Sequence, residues 1–234
     1  MKAVILCDFD GTIYRGDVYE DLLLKFGGSD AYELFEQYKR GEIRSQGVLE
    51  SGWDTFHVSR GTLEAEMAGM EIDPDFPAFV SWCFEKGVKV GILSDGLDWY
   101  IRAVLANVGL ENLPVFANQL QFEGEKAVFS YPYLDTSCPL CGDRFAVCKR
   151  NVILDFQHEG QKVIFIGDGS SDRCAAPAAD LVIARRKLRI FCQQEKIPYL
   201  SFETFSDVLE QRTRILQAVE GSGELSTIIG EDNR

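Results

Sequence analysis

The chain has 234 residues, 46% of them apolar, and a formal net charge of −13. That length and apolar content allow a full core and predict one domain with a modest insertion. The acidic balance excludes nucleic-acid binding through phosphate contacts, disfavours an anionic lipid surface, and is most simply a solubility trait.

In chain order, the first predicted element is an apolar run, Val4-Ile5-Leu6-Cys7, that ends in Asp8-Phe9-Asp10-Gly11-Thr12. Such a run reads as a buried parallel strand whose carboxyl end delivers two carboxylates into a turn permitted by Gly11. Two acids this close repel each other unless a cation or proton intervenes, so the pair points to a metal and to acid–base chemistry. The alternative is that both are ordinary turn formers. Residues 14–80 then break the strand–helix rhythm. They carry helical patterns at 19–26, 31–38, 46–56 and 62–70, and no strand, so an all-helical insertion should lie above the acids as a lid.

Past the insertion, strand and helix alternate. A strand is expected at 88–93, a helix at 98–108 ending at Gly109, a short strand at 115–117 and an antiparallel excursion over 119–133. A helix at 145–157, a strand at 162–166, a helix at 172–179 and a strand at 181–184 follow. Phe205, Val208, Leu209, Ile215, Leu216 and Val219 recur at helical spacing, and the tail from Gly221 reads as polar and frayed. The fold class is therefore α/β, a doubly wound parallel sheet. The 162–166 strand runs into Gly167-Asp168-Gly169-Ser170-Ser171-Asp172, a second acidic, glycine-rich strand end. Ligands in such sheets gather at strand carboxyl ends near the reversal of strand order, which argues against coincidental turns.

Seven cysteines, an odd number, with no apolar run of signal-peptide or membrane-spanning length, predict reduced thiols and a cytoplasmic setting. Cys138-Pro139-Leu140-Cys141-Gly142 followed by Cys148 is a recurrent zinc-knuckle half, and three thiolates with one further ligand make a structural zinc site. A fourth ligand is not evident: Cys174, Asp143 or a histidine, His57 or His158, would have to arrive by folding. Free thiols ordering the loop, or a redox couple of Cys138 and Cys141, are the alternatives.

Asp8-Phe9-Asp10-Gly11-Thr12, Ser94 after a strand, Lys149 before a helix, and Gly167-Asp168 with Asp172 resemble the four ordered motifs of the haloacid dehalogenase superfamily of phosphotransferases. The insertion resembles the cap of its phosphoserine phosphatase-like branch, which implies a core of 1–13 and 81–234 and a cap of 14–80. The resemblance implies a magnesium-dependent phosphomonoesterase acting on a small phosphorylated metabolite. Asp8 is then the nucleophile that becomes an aspartyl phosphate, and Asp10 the general acid and base. Magnesium is held by Asp8, the Asp10 carbonyl and Asp168, with Asp172 assisting. Lys149 supplies positive charge, and Thr12, Ser94 and Gly96 are donors around the phosphate.

Asp17 falls where phosphoserine phosphatases place a substrate-contacting glutamate, or it is the N-cap of the helix from Val18. Leu93-Ser94-Asp95-Gly96-Leu97-Asp98-Trp99 and the cysteines before Lys149 are similar to methionine-salvage enol-phosphate phosphatases. The wider set implied is phosphoserine, phosphoamino-alcohol or pyridoxal phosphate phosphatases. Trp53, Phe56 and Met67 are candidate covers for a methylthio group, or, for most of them, plain core residues. The opposing reading is an idle phosphate-binding or zinc-ordered interaction protein on the same fold.

Overall fold

Along the first strand, β1 (Lys2–Cys7), the side chains divide by parity: Ala3, Ile5 and Cys7 enter one apolar cluster, Val4 and Leu6 another. Period-two alternation therefore buries both faces, as expected of a parallel strand covered on each side. This is read from a computed structural model, which describes residues 2–142 and 144–221. The other strands are β2 (Lys89–Leu97), β3 (Val115–Glu123), β4 (Lys126–Ser130), β5 (Gln161–Gly167), β6 (Leu181–Ala184) and β7 (Tyr199–Ser201). They form one seven-stranded sheet in the order β4-β3-β2-β1-β5-β6-β7. All pairs are parallel except β3 with β4.

The expected α/β doubly wound architecture is present. β1 lies between β2 and β5, and the chain leaves it toward opposite edges of the sheet, so the strand order reverses there. The carboxyl ends of these three strands border the crevice where this fold class places its ligands.

Between β1 and β2 lie α1 (Val18–Phe26), α2 (Gly28–Arg40), α3 (Ser45–Trp53) and α4 (Arg60–Met67), then α5 (Phe76–Glu85). α5 spans the expected cap boundary at residue 80. Its Phe76 and Phe79 meet Phe205 at ring-centroid distances of 4.9 and 5.2 Å, on the face also covered by α6 (Asp98–Ala106). The opposite face is covered by α7 (Lys149–His158) and α8 (Arg186–Glu195) through Val152, Ile153, Leu188 and Cys192.

Several expected elements change. α7 begins at Lys149, not 145, because the Ala146 and Val147 amides both donate to Asp95 Oδ1 and hold the preceding residues in a loop. Residues 172–179 form turns instead of a helix. Pro177 lacks a donor there, and Asp172 turns its carboxylate back on the strand end. The C-terminal stripe is two helices, α9 (Phe205–Glu210) and α10 (Arg212–Glu220). α8 and β7 had no counterpart in the sequence reading. The tail expected to fray from Gly221 lies, from residue 222, outside the described residues.

Candidate active site

The turn after β1 is wound around a single carbonyl: the Thr12, Ile13 and Tyr14 amides all donate to Phe9 O. Gly11 makes the turn possible. It sits at φ +77°, and a Cβ there would stand 2.5 Å from both carboxylate oxygens of Asp168. The close approach of these two strand ends thus depends on a residue without a side chain.

Asp8 is buried, and Lys149 Nζ lies 2.7 Å from its Oδ1. The Phe9 amide donates to the same oxygen at 2.8 Å. Oδ2 is therefore the oxygen without a hydrogen-bond partner among the described residues. Lys149 is fully buried and bridges onward to Asp172 Oδ1 at 2.6 Å. Burial disfavours its charge, yet Asp172 and Asp8 together hold its pKa above the ordinary lysine value. Asp172 accepts from the Asp168 and Gly169 amides through Oδ2 at 2.9 and 2.8 Å. With both oxygens engaged, Asp172 fixes Lys149 on one side and the Asp168 turn on the other.

Burial and the neighbouring Asp172 raise the Asp8 carboxyl pKa well above its usual range. The same two influences bring Asp168 up to about 6. One oxygen from each of Asp8, Asp168 and Asp172 lies within 4.8 Å of the others. Lys149 pairs with Asp8 and Asp172, and Arg186 lies 3.5 Å from Asp168 Oδ2; the all-oxygen donor set of the three carboxylates suits a hard divalent cation such as magnesium. These residues therefore fit that ion.

Asp10 is tied at both oxygens: the Val18 amide donates to Oδ1 at 2.9 Å and the Tyr100 hydroxyl to Oδ2 at 2.6 Å. Burial and then the Asp17 charge push its pKa well above the usual carboxylate range, against the Tyr100 and Val18 hydrogen bonds that lower it. Asp17 is the N-cap of α1, accepting from the Glu20 amide at 2.9 Å. It also lines the cavity described below.

At the end of β2, Ser94 is buried, its hydroxyl accepting from the Gly96 amide at 3.1 Å. Gly96 has no room for a side chain, since a Cβ would meet the Tyr100 hydroxyl at 1.7 Å. Thr12 stands apart from the other expected phosphate donors. It is fully buried, and its hydroxyl donates to Asp168 Oδ1 at 3.2 Å instead of lining the cavity.

A cavity of about 740 Å³ opens over Asp8, Asp10, Ser94, Gly96 and Asp168. Its far wall comes from the helices after β1: Tyr19, Phe35, Tyr38, Val48 and Leu49, with Phe145 from the loop before α7. Arg15, Lys39, Arg144, Arg186 and Lys187 add positive charge to its rim. The apolar covers named from sequence lie elsewhere. Trp53 packs on Trp99 and Phe122, each 5.5 Å away between ring centroids, and on Phe56. Met67 is fully buried. Their apolar side chains pack into the interior, as the core alternative has it.

Three site residues escaped the sequence reading. Arg185 is buried and donates from Nε to Gly11 O at 2.9 Å, from Nη2 to Gly11 O and Thr12 O, and from Nη1 to Glu203 O. It clamps the turn that carries Asp10. Asp95, raised to about 6 by burial, receives the loop that presents Lys149. Tyr100 holds Asp10. Only the neighbouring motif residues Ser94 and Gly96 could have drawn attention to Asp95; Arg185 and Tyr100 carry no local signal.

The cysteines separate into two groups. Cys7 and Cys83 are buried near each other in one apolar cluster, and Cys192 in the other. Cys138, Cys141, Cys148 and Cys174 converge, their sulfurs all within 4.8 Å of one another. Cys148 is lowered to about 5, chiefly by its hydrogen bond with Cys174. Asp143, another proposed partner, lies outside the described residues. Neither His57 nor His158 joins either cluster among the described residues.

Residues 3–213 match the family model described as Putative Phosphatase. The chain is 32% identical over 225 residues to the 2-hydroxy-3-keto-5-methylthiopentenyl-1-phosphate phosphatase of Brevibacillus brevis, covering 94% of this chain and 97% of that protein. It is 28% identical over 216 residues to the protein of the same name from Exiguobacterium sibiricum, covering 90% and 96%. Among solved structures, a phosphoserine phosphatase holding a phospho-aspartyl intermediate analogue superimposes with a TM-score of 0.67 at 18% identity. That match covers 89% of this chain and 98% of the other.

Proposed function

This chain belongs to the putative phosphatase family, as a haloacid dehalogenase-type phosphatase, and on that premise we propose that it hydrolyses a small phosphomonoester through an aspartyl phosphate on Asp8. The observation that carries this reading is the asymmetry of the Asp8 carboxylate. Lys149 and the Phe9 amide occupy Oδ1, which leaves Oδ2 to attack phosphorus.

Attack forms the Oδ2–phosphorus bond as the ester oxygen leaves with the bonding pair and takes the Asp10 proton. Asp10, then an anion, removes a proton from the water that attacks the phosphoaspartate, which releases phosphate and restores Asp8. Tyr100 and the Val18 amide hold Asp10 in place for both steps. Ser94 and the Gly96 segment border the transferring group, and Lys149 neutralises the nucleophile. Asp8, the Asp10 carbonyl and Asp168 would hold magnesium, which when bound offsets the charge of the phosphoryl oxygens. Asp172 is a positioning residue for Lys149 and Asp168.

For substrate, we favour the methylthio-substituted enol phosphate named for the bacterial relatives. An uncharged thioether arm suits the Phe35, Tyr38, Val48 and Leu49 wall, and α1 to α4 act as the cap over it. The test is phosphate release from a panel containing that enol phosphate, phosphoserine, phosphoethanolamine, phosphocholine and pyridoxal phosphate, with magnesium and after chelation. Magnesium-restored turnover with highest kcat/KM on the enol phosphate is expected. Preference for an amine-bearing ester would overturn the substrate, and no magnesium-dependent release from any ester would overturn the reaction.

A further inference from the structure

We propose that Cys138, Cys141, Cys148 and Cys174 bind one structural zinc ion as a closed tetrathiolate site. Zinc–sulfur bonds of about 2.3 Å arranged tetrahedrally place the sulfurs about 3.8 Å apart. The four sulfurs here lie within 4.8 Å of one another, so the site closes with movements of at most about 1 Å.

The backbone is already shaped for this. The Gly142 amide donates to Cys138 O at 2.7 Å, and Gly142 sits at φ +53°, which folds the Cys-x-x-Cys-Gly turn and brings its two thiols together. Cys148 arrives as the residue before α7, fixed by its amide to Tyr133 O at 2.8 Å. Cys174 comes from a different loop, beyond β5.

Burial and composition argue the same way. All four cysteines are buried and form, with Phe145, an apolar cluster separate from the two that cover the sheet. Residues 131–148 contain no helix or strand among the described residues. A loop this long without regular structure needs another source of order, and four converging thiols are the ligands for one. Four soft thiolates suit a metal such as zinc and not magnesium, which the carboxylates nearby suit, so the two sites do not compete for one ion. Each ligand that enters as S–H releases its proton to solvent, and no electron transfer is involved.

The position gives the ion a task. Cys148 precedes Lys149, and Cys174 follows Asp172 by two residues, so a filled site joins the two segments whose side chains make the Lys149–Asp172 ion pair. Zinc would act as a staple behind the catalytic acids, outside the cavity.

The experiment is metal analysis of the full chain purified without chelator, beside Cys138→Ser, Cys174→Ser and the control Cys192→Ser. One zinc per chain is expected in wild type and the control, and none in the two cluster variants. If those variants fail to fold, wild-type protein is stripped in denaturant and refolded with Co(II) alone. Sulfur-to-cobalt charge-transfer absorption, which a carboxylate site does not produce, is the expected signature. Four titratable free thiols with no bound metal, disulfides among these cysteines, or iron in place of zinc would each overturn the proposal.

Discussion

Two clusters of buried ligand-type side chains meet at the Cys148–Lys149 peptide, and they are built on opposite plans. On one side, Asp8 and Asp172 pair with the buried Lys149, and Asp8 and Asp168 line a cavity of about 740 Å³. On the other, four thiols face one another and a phenylalanine. The carboxylate cluster keeps one oxygen unpartnered and one wall open, as a site that must admit substrate requires. The thiol cluster directs every sulfur inward, the plan of a structural site. Cys148 and Cys174 of the closed cluster stand one and two residues from Lys149 and Asp172, which pair in the open one.

The comparison breaks most sharply at the nucleophile. Asp8→Asn is expected to lower phosphomonoester turnover by about 10,000-fold or more, equivalent to about 5 kcal/mol, while leaving zinc content and melting temperature near wild type. Steady-state kinetics beside metal analysis checks both halves, and retained turnover would remove Asp8 from its role. Lys149→Met should damage both clusters' shared frame. It strands two buried carboxylates without their counter-charge, and urea unfolding should register a loss of about 3–5 kcal/mol.

Asp10→Asn separates proton delivery from nucleophilic attack. For an alkyl phosphate the expected loss in kcat/KM is about 100- to 10,000-fold, and for para-nitrophenyl phosphate, whose leaving group needs little help, far less. Equal losses would assign Asp10 a purely structural place.

The smallest effects concern pH. Asp17's charge raises the Asp10 pKa, so Asp17→Asn lowers it and moves the alkaline limb of kcat/KM to lower pH. Tyr100's hydrogen bond stabilises the Asp10 anion, so Tyr100→Phe moves that limb to higher pH. The pH–rate profile of each variant checks the direction of its shift. Asparagine still caps α1, so a change in helix content would not accompany the first. Limbs moving in the same direction in both variants would contradict these assignments.

What could be read from the chain alone was what local chemistry dictates. Apolar runs ending in Asp8 and in Gly167-Asp168 marked two strands and the carboxylates at their ends, and Asp98 and the helical stripes marked their neighbours. These signals survive because a buried parallel strand and an amphipathic helix each impose a periodicity on nearby residues. The helical pattern predicts a start at Phe145, four residues ahead of Lys149, where the helix begins. The amides that delay it are held by Asp95, 51 and 52 residues away in sequence.

Tertiary structure alone decided which distant groups share one environment. It placed Arg185 on the Gly11 and Thr12 carbonyls, turned Thr12 toward Asp168, and supplied Cys174 as the fourth sulfur. It also put Phe35 and Tyr38 on the cavity wall and packed Trp53 against Trp99 and Phe122. Each of these depends on desolvation and on contacts between segments far apart in the chain. A hydrogen-bond partner or a packing neighbour brought in by folding leaves no periodic trace in the sequence, which is why the acids were legible and the groups that hold them were not.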